Sequence, residues 1–192
     1  MYLAAALALI GGTSYVIDTV QGRTQPNRIS WLLWAIAPLL AFFGALDEGV
    51  GLQSLMSFMV GFVPACVFAA SFVNRKAYWR ITSLDIGCGV LSVCGLIAWL
   101  ATQEGNAAIV AAIAADGIAG VPTFAKAYRN PRSESSLIFW LGAANAGITL
   151  LTIDHWRFAN FGFPVYILLG ALSLALVITF RIGERPTLPA VS

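Results

Sequence analysis

Asp116 lies nine residues beyond Ala107, near the middle of an apolar stretch running from about 107 to 127. An ionisable group that far from either end of such a stretch costs at least ~2.5 kcal/mol on insertion scales, and by default marks a solute, ion or proton site. Ala108, Ala112 and Gly120 share its face and are small, so that face can border a cavity or pack closely on another helix. A protonated Asp hydrogen-bonded between helices fits the same residue, and the sequence leaves both open. Asn145 lies at matching depth in a later stretch, nine residues in from Ser136. Its amide suits a hydroxyl-bearing solute or a single interhelical bond worth about 0.6 kcal/mol. Trp34 and Trp140 each sit about one turn inside a stretch. They can sandwich a flat ligand through their π-faces or belong to an interfacial aromatic belt. Trp31, Trp79, Trp99 and Trp156 fit such a belt.

The elements that must position these residues are seven apolar stretches, at approximately 3–20, 30–46, 53–73, 81–101, 107–127, 136–153 and 163–181. A helix needs about 20 mostly apolar residues to cross the hydrocarbon core, so the chain is expected to be an all-α membrane protein of seven transmembrane helices. The composition agrees, at 59% hydrophobic and 10% charged. Ten of the eleven Lys and Arg residues fall in alternate gaps, Arg157 alone dissenting. They are Arg23 and Arg28, then Arg75, Lys76 and Arg80, then Lys126, Arg129 and Arg132, then Arg181 and Arg185. The other gaps carry Asp47 and Glu48, Glu104, and Asp154 with His155. Short basic loops stay inside, which places the N-terminus outside and the C-terminus inside the cytoplasmic membrane. The first helix lacks a positive n-region and is expected to be retained. The basic residues are topology signals and imply no nucleic-acid partner. Cys66, Cys88 and Cys94 lie in apolar stretches and read as small packing residues. His155 stands without metal-ligand company. Asp18 is expected to pair with Arg23 or Arg28, and Asp85 to complement the start of its helix.

Sliding the chain against itself by 106 residues superposes the first three helices on the last three. Gly11 falls on Gly117, Arg23 on Arg129, Ser30 on Ser136, Trp34 on Trp140 and Arg75 on Arg181, while Asn145 falls on Leu39. Three spans reverse the chain, so one extra span is needed for two copies to run parallel, and such repeats place a solute site at their interface. The expected division is a first triple-helix bundle at 1–76, an inverting linker helix at 77–105, a second bundle at 106–182 and a tail at 183–192. Pro38, Pro64 and Pro122 interrupt spans. A proline removes a backbone bond and bends a helix where neighbours satisfy the freed carbonyl, so Gly120 with Pro122, and Pro38, are hinge candidates. Pro164 is expected to open the last helix.

The second unit reads Gly117-Ile-Ala-Gly-Val-Pro122-Thr123-Phe-Ala-Lys126-Ala-Tyr128-Arg129-Asn-Pro131-Arg-Ser133-Glu-Ser-Ser136-Leu-Ile-Phe139-Trp140. It resembles the PQ-loop pattern of the SWEET and semiSWEET transporter superfamily. In that pattern a Pro-Gln near the cytoplasmic end of a unit's first helix precedes a Lys and a polar loop, and a Ser opens the next helix. Pro122 takes the Pro position, Thr123 replaces Gln, Lys126 keeps its place, Arg129 lies in the cytoplasmic loop and Ser136 opens the following helix. The first unit has Val16 and Ile17 where the dipeptide belongs, but its loop from Gly22 to Trp31 keeps the length and chemistry. The resemblance implies a 3+1+3 solute transporter with prolines as hinges for alternating access; the superfamily also includes a cargo receptor.

No Ser-His-Asp set at membrane depth, H-E-x-x-H or phosphate-binding loop is present, so no enzyme, metal or cofactor is expected. The expectation is a facilitator or proton-linked transporter of a small polar solute such as a sugar, with Asp116, Asn145, Trp34 and Trp140 facing it. The competing class is a non-transporting receptor on the same scaffold, whose Arg129 and Arg132, beside Lys126, hold a headgroup or an acidic tail. The expected partners are the lipid bilayer and the solute. A monomer suffices, and a homo-oligomer stays open.

Overall fold

The computed structural model describes residues 2–47, 54–74, 79–101 and 105–183. In it the apolar stretches become seven α-helices, with no strand among the described residues. They are α1 (Tyr2–Val20), α2 (Arg28–Asp47), α3 (Ser54–Ala70), α4 (Ser83–Ala101), α5 (Gly105–Arg129), α6 (Leu137–Leu151) and α7 (Phe158–Thr179), with a 3-10 turn at Pro131–Ser133. Glu48, Arg75, Lys76, Glu104, Arg185, the side chain of Trp99 and the tail beyond 183 lie outside the described residues.

The helix ends follow local chemistry. Gly22 adopts φ 73° and ends α1: its N–H reaches the Thr19 carbonyl at 3.0 Å and the Arg23 N–H the Asp18 carbonyl at 2.8 Å, a reversal that favours glycine. Asn27 begins α2, its Oδ1 accepting the Ile29 and Ser30 N–H groups at 3.1 and 3.2 Å. Thr82 and Asp85 begin α4 reciprocally. The Thr82 N–H donates to Asp85 Oδ2 at 2.5 Å, and the Asp85 N–H donates to Thr82 Oγ1 at 3.4 Å. One sequence expectation is corrected. Pro164 lies inside α7, because the Asn160 and Phe161 N–H groups both reach the Arg157 carbonyl, at 2.8 and 3.2 Å, and form the first turn ahead of it.

The helices pack in a closed order. α1 lies against α3 and α6, α2 against α3 and α5, and α7 against α5 and α6. The cycle α1–α3–α2–α5–α7–α6 therefore returns to α1. α4 packs on α5 and α2 through Asp85, Cys88 and Ser92, while its Ile86, Val90, Leu91 and Ile97 are exposed, so it flanks the ring. Small residues allow the closest approaches. A Cβ on Gly61 of α3 would lie 2.8 Å from Leu39 Cγ and 3.0 Å from the Ala35 carbonyl of α2. One on Gly95 of α4 would lie 3.0 Å from the Ala115 Cβ of α5.

Burial is polarised along the bundle. Tyr15, Trp31, Val67, Ala127, Phe139 and Leu174, one from each ring helix, form a single buried cluster. All lie toward the end that carries the connections at 21–27 and 130–136, which is the end of the basic loops. Toward the other end, α1 residues 6–10, α6 residues 147–151 and α7 residues 163–170 are half-buried or exposed. Among the described residues, two segments are long and apolar enough to cross a membrane, Ile109–Arg129 and Asn160–Thr179. Shorter apolar helices occur at Ala6–Val20, Val60–Ala70, Ser83–Ala98 and Leu137–Leu151.

The Gly61 contact makes a direct stability prediction. Gly61→Ala must push α2 and α3 apart, costing about 1–3 kcal/mol, and should lower the melting temperature in detergent. An unchanged melting temperature would show that this crossing is not close-packed.

Candidate functional site

Asp116 stands mid-way along α5 and is half-buried. Its carboxylate Oδ2 accepts a 2.8 Å hydrogen bond from the Tyr166 hydroxyl of α7, and its backbone carbonyl accepts one at 3.3 Å from the Trp34 indole N–H of α2. Glycines on α5 make this meeting possible. A Cβ on Gly117 would lie 3.5 Å from the Tyr166 hydroxyl, and one on Gly120 3.3 Å from Trp34 Cζ2. Gly120, read as a hinge, thus also seats the Trp34 ring. The ring further meets Trp31 edge-on at 5.3 Å between centroids. The result is a carboxylate, a phenol and an indole converging between α2, α5 and α7, able to accept hydrogen bonds and to offer aromatic faces.

The other expected site residues have separate surroundings. The Asn145 carbonyl accepts from Thr149 Oγ1 at 3.0 Å, and its half-buried amide has no hydrogen-bond partner among the described residues. The Trp140 indole donates to Thr179 Oγ1 at 3.0 Å on α7 and is 37% exposed. Trp34 and Trp140 therefore turn to different helices: Gly120 makes room for one indole on α5, whereas the matching α1 position is Ser14. Pro38 and Pro122 lie within α2 and α5, and Pro122 is buried.

A second polar group lies at the basic-loop end. Lys126, read as part of a loop, occupies the last turn of α5 and is sealed. It pairs with Glu134, the two side chains being 1% and 0% exposed. The Lys126 ammonium also donates to the Gln25 carbonyl and sits 5.2 Å from the centre of the Trp79 ring. The Tyr15 hydroxyl donates to the other Glu134 oxygen, and the Gln25 N–H donates to the Ser133 carbonyl at 2.8 Å. Asn27 donates to Asp85 Oδ1 at 2.6 Å, tying the 21–27 connection to α4. Arg129 is exposed, and Ser136 precedes α6 without a side-chain cap bond. Asp18 takes Arg23 at 2.5 Å. Arg28 turns instead to Ser71, whose hydroxyl and carbonyl accept at 3.0 and 2.7 Å, with its guanidinium 4.0 Å over the Phe72 ring.

Tyr166 and Glu134 escaped the sequence reading. A Tyr one residue after Val165 in an apolar stretch carries no signal of its own, and Glu134 sits in a polar loop among Arg132, Ser133 and Ser135. Its burial beside Lys126 follows only from the folded path. Among the described residues, no three His, Cys, Asp or Glu side chains gather as a metal site. Searches against family models, curated proteins and solved structures return no match to this chain.

The two polar groups differ in what they contribute to stability. Tyr166→Phe removes one interhelical hydrogen bond and should cost about 0.6 kcal/mol, with ~1.7 as the ceiling. Lys126→Met leaves the Glu134 carboxylate buried without its cation and should cost about 3–5 kcal/mol. Thermal melting of the two variants should separate them widely; equal shifts would show that the ion pair is hydrated.

Proposed function

We propose that this chain is a seven-span membrane protein that moves a small polar solute, such as a sugar or similar metabolite, by alternating access. The spans form two like-oriented triple-helix bundles joined by the inverting α4. Several observations support the membrane setting. Large apolar side chains are exposed around the bundle, among them Ile97 at 60% and Leu151 at 88%, a surface that water-soluble monomers avoid. The alternate placement of basic loops puts the sealed end in the cytoplasm and the N-terminus outside. The packing order supports the paired bundles: exchanging α1 with α5, α2 with α6 and α3 with α7 returns the same ring contacts.

The observation that carries the transport reading is the position of the Asp116–Tyr166–Trp34 group on the outer side of a closed floor. Asp116 is half-buried, whereas Ala119, one turn nearer the basic end, is 1% exposed and Thr123 is 0% exposed. A solute entering from outside would meet the carboxylate and the two aromatics, and would stop at Ala119. A polar set at mid-depth above a buried floor fits one of the end states that alternating access requires. The receptor alternative keeps the exposed Arg129 and Arg132 as its basic groups, while Lys126 beside them is committed to Glu134 and Gln25.

Purified protein in liposomes should pass at least one solute from a panel of sugars, polyols and small amines. Asp116→Ala should reduce the initial rate by about tenfold, equivalent to losing roughly 1.4 kcal/mol of binding. Absence of flux across the whole panel, with the wild-type protein folded and correctly inserted, removes the transport reading.

A further inference from the structure

The two connections that meet at the sealed end belong to different bundles. The 21–27 connection follows α1, and the 130–136 connection follows α5. Polar contacts tie these two connections to each other and to the opposite bundle: Tyr15 of α1 to Glu134, the Gln25 carbonyl to Lys126, and the Gln25 N–H to the Ser133 carbonyl. Apolar close packing occurs inside each bundle, at Gly61 between α3 and α2, and also between them, where a Cβ on Gly11 of α1 would lie 3.3 Å from Leu141 Cδ1 of α6. Among the described residues, the buried charges are confined to the basic-loop end.

We propose that the contacts by which Tyr15 and the Gln25 carbonyl hold the buried Lys126–Glu134 pair of the other bundle form a releasable latch, which keeps the cytoplasmic side shut and parts when the bundles rock inward. The inference rests on the transport reading for its purpose, but not for its geometry. An interface meant to stay shut is better made of apolar side chains, because a buried ion pair gives up the hydration of two charges and often holds no more tightly than hydrophobic replacements. The same property makes it suited to opening. Water entering between the connections re-solvates the ammonium, the carboxylate and the phenol, so the parted state recovers what closure gave up. An apolar seam parted in the same place would expose surface to water with nothing returned.

A second observation points the same way. Two polar atoms at this level, Ser30 Oγ and Thr123 Oγ1, are buried with no hydrogen-bond partner among the described residues. Unmet groups of this kind raise the free energy of the state that buries them. Thr123 lies one turn before Lys126, and Trp31 packs on Tyr15 with ring centroids 4.8 Å apart. The closed floor therefore carries unmet polar groups beside the latch, and opening to water satisfies them.

The test reads conformation directly. In the full-length protein with Cys66→Ala, Cys88→Ala and Cys94→Ala, Thr123→Cys places one thiol at a position that is fully buried while the latch is shut. Inverted proteoliposomes expose the basic-loop side to a membrane-impermeant maleimide. Labelling should be slow with the latch intact, and about tenfold faster in Glu134→Gln and Tyr15→Phe as the open state gains population. Tyr15→Phe removes a single hydroxyl, so it carries the test if Glu134→Gln does not fold. Slow labelling in folded Glu134→Gln or Tyr15→Phe overturns the latch and makes the pair a fixed clamp. Faster labelling without flux of any solute keeps the latch and discards the transport reading. Flux with unchanged labelling does the reverse.

Discussion

Two ionised side chains held out of water constrain everything around them. Lys126 and Glu134 have essentially no exposed surface, and charges in that position need both each other and further polar partners. The requirement determines the neighbours. Tyr15 must bring its hydroxyl from α1, and the chain at Gln25 must turn its carbonyl inward. The turn at Pro131–Ser133 must deliver Glu134 to the bundle interior rather than to solvent. The φ 73° at Gly22 ends α1 so that the 21–27 connection can reach across. Asn27 then starts α2 while holding Asp85 of α4. One buried pair thus sets the relation of α1, α2, α4 and α5 at that end.

Away from that end, packing follows a different rule. In the membrane setting proposed above, helices gain little from apolar surface alone, so association relies on close approach and sparse polar contacts. Gly61 and Gly95 allow the approach. Ser92, donating to the Ala115 carbonyl at 2.6 Å, and Tyr166 with Asp116 supply polar contacts. The Asp116 carboxylate is therefore tied to α7 through the Tyr166 hydroxyl, with its second oxygen outside that bond. A residue in that position can position a helix and still meet a solute, so the two readings of Asp116 left open by its sequence position do not exclude each other.

Much of this architecture is legible in the chain, for definite reasons. Length and apolarity delimit seven helices to within a few residues at most ends, because turn-forming and charged residues interrupt them. Asp18 with Arg23 and Asp85 with the start of α4 follow from sequence distance. Pro164 does not, because the aromatic residues from Trp156 to Phe161 start α7 a turn and a half earlier than hydropathy alone requires. Asp116 announces itself as a charge in an apolar run. Tyr166 is hidden because a tyrosine there breaks no pattern, and only the crossing of α5 and α7 at Gly117 brings its hydroxyl to Asp116. Lys126 looks like a solvated loop cation for the same reason: its partner is eight residues away through a turn whose direction is not written in composition.

The offset of 106 residues shows how unequally the two halves carry the polar groups. Position for position, Asp116 answers to Ile10, Thr123 to Ile17, Lys126 to Val20 and Asn145 to Leu39. Glu134 answers to Arg28, a reversal of charge, and the consequence is structural: Arg28 turns to Ser71 within its own bundle, whereas Glu134 reaches Tyr15 in the other. The first half contributes neutral groups, the donating Tyr15 hydroxyl and Trp34 indole and the accepting Gln25 carbonyl, each meeting a residue of the second. Two halves with the same polar set would place like charges opposite each other at the shared end, which would repel. At the shared end the charged pair of one half instead meets neutral groups of the other, a phenol that donates and a backbone carbonyl that accepts, which avoids that repulsion.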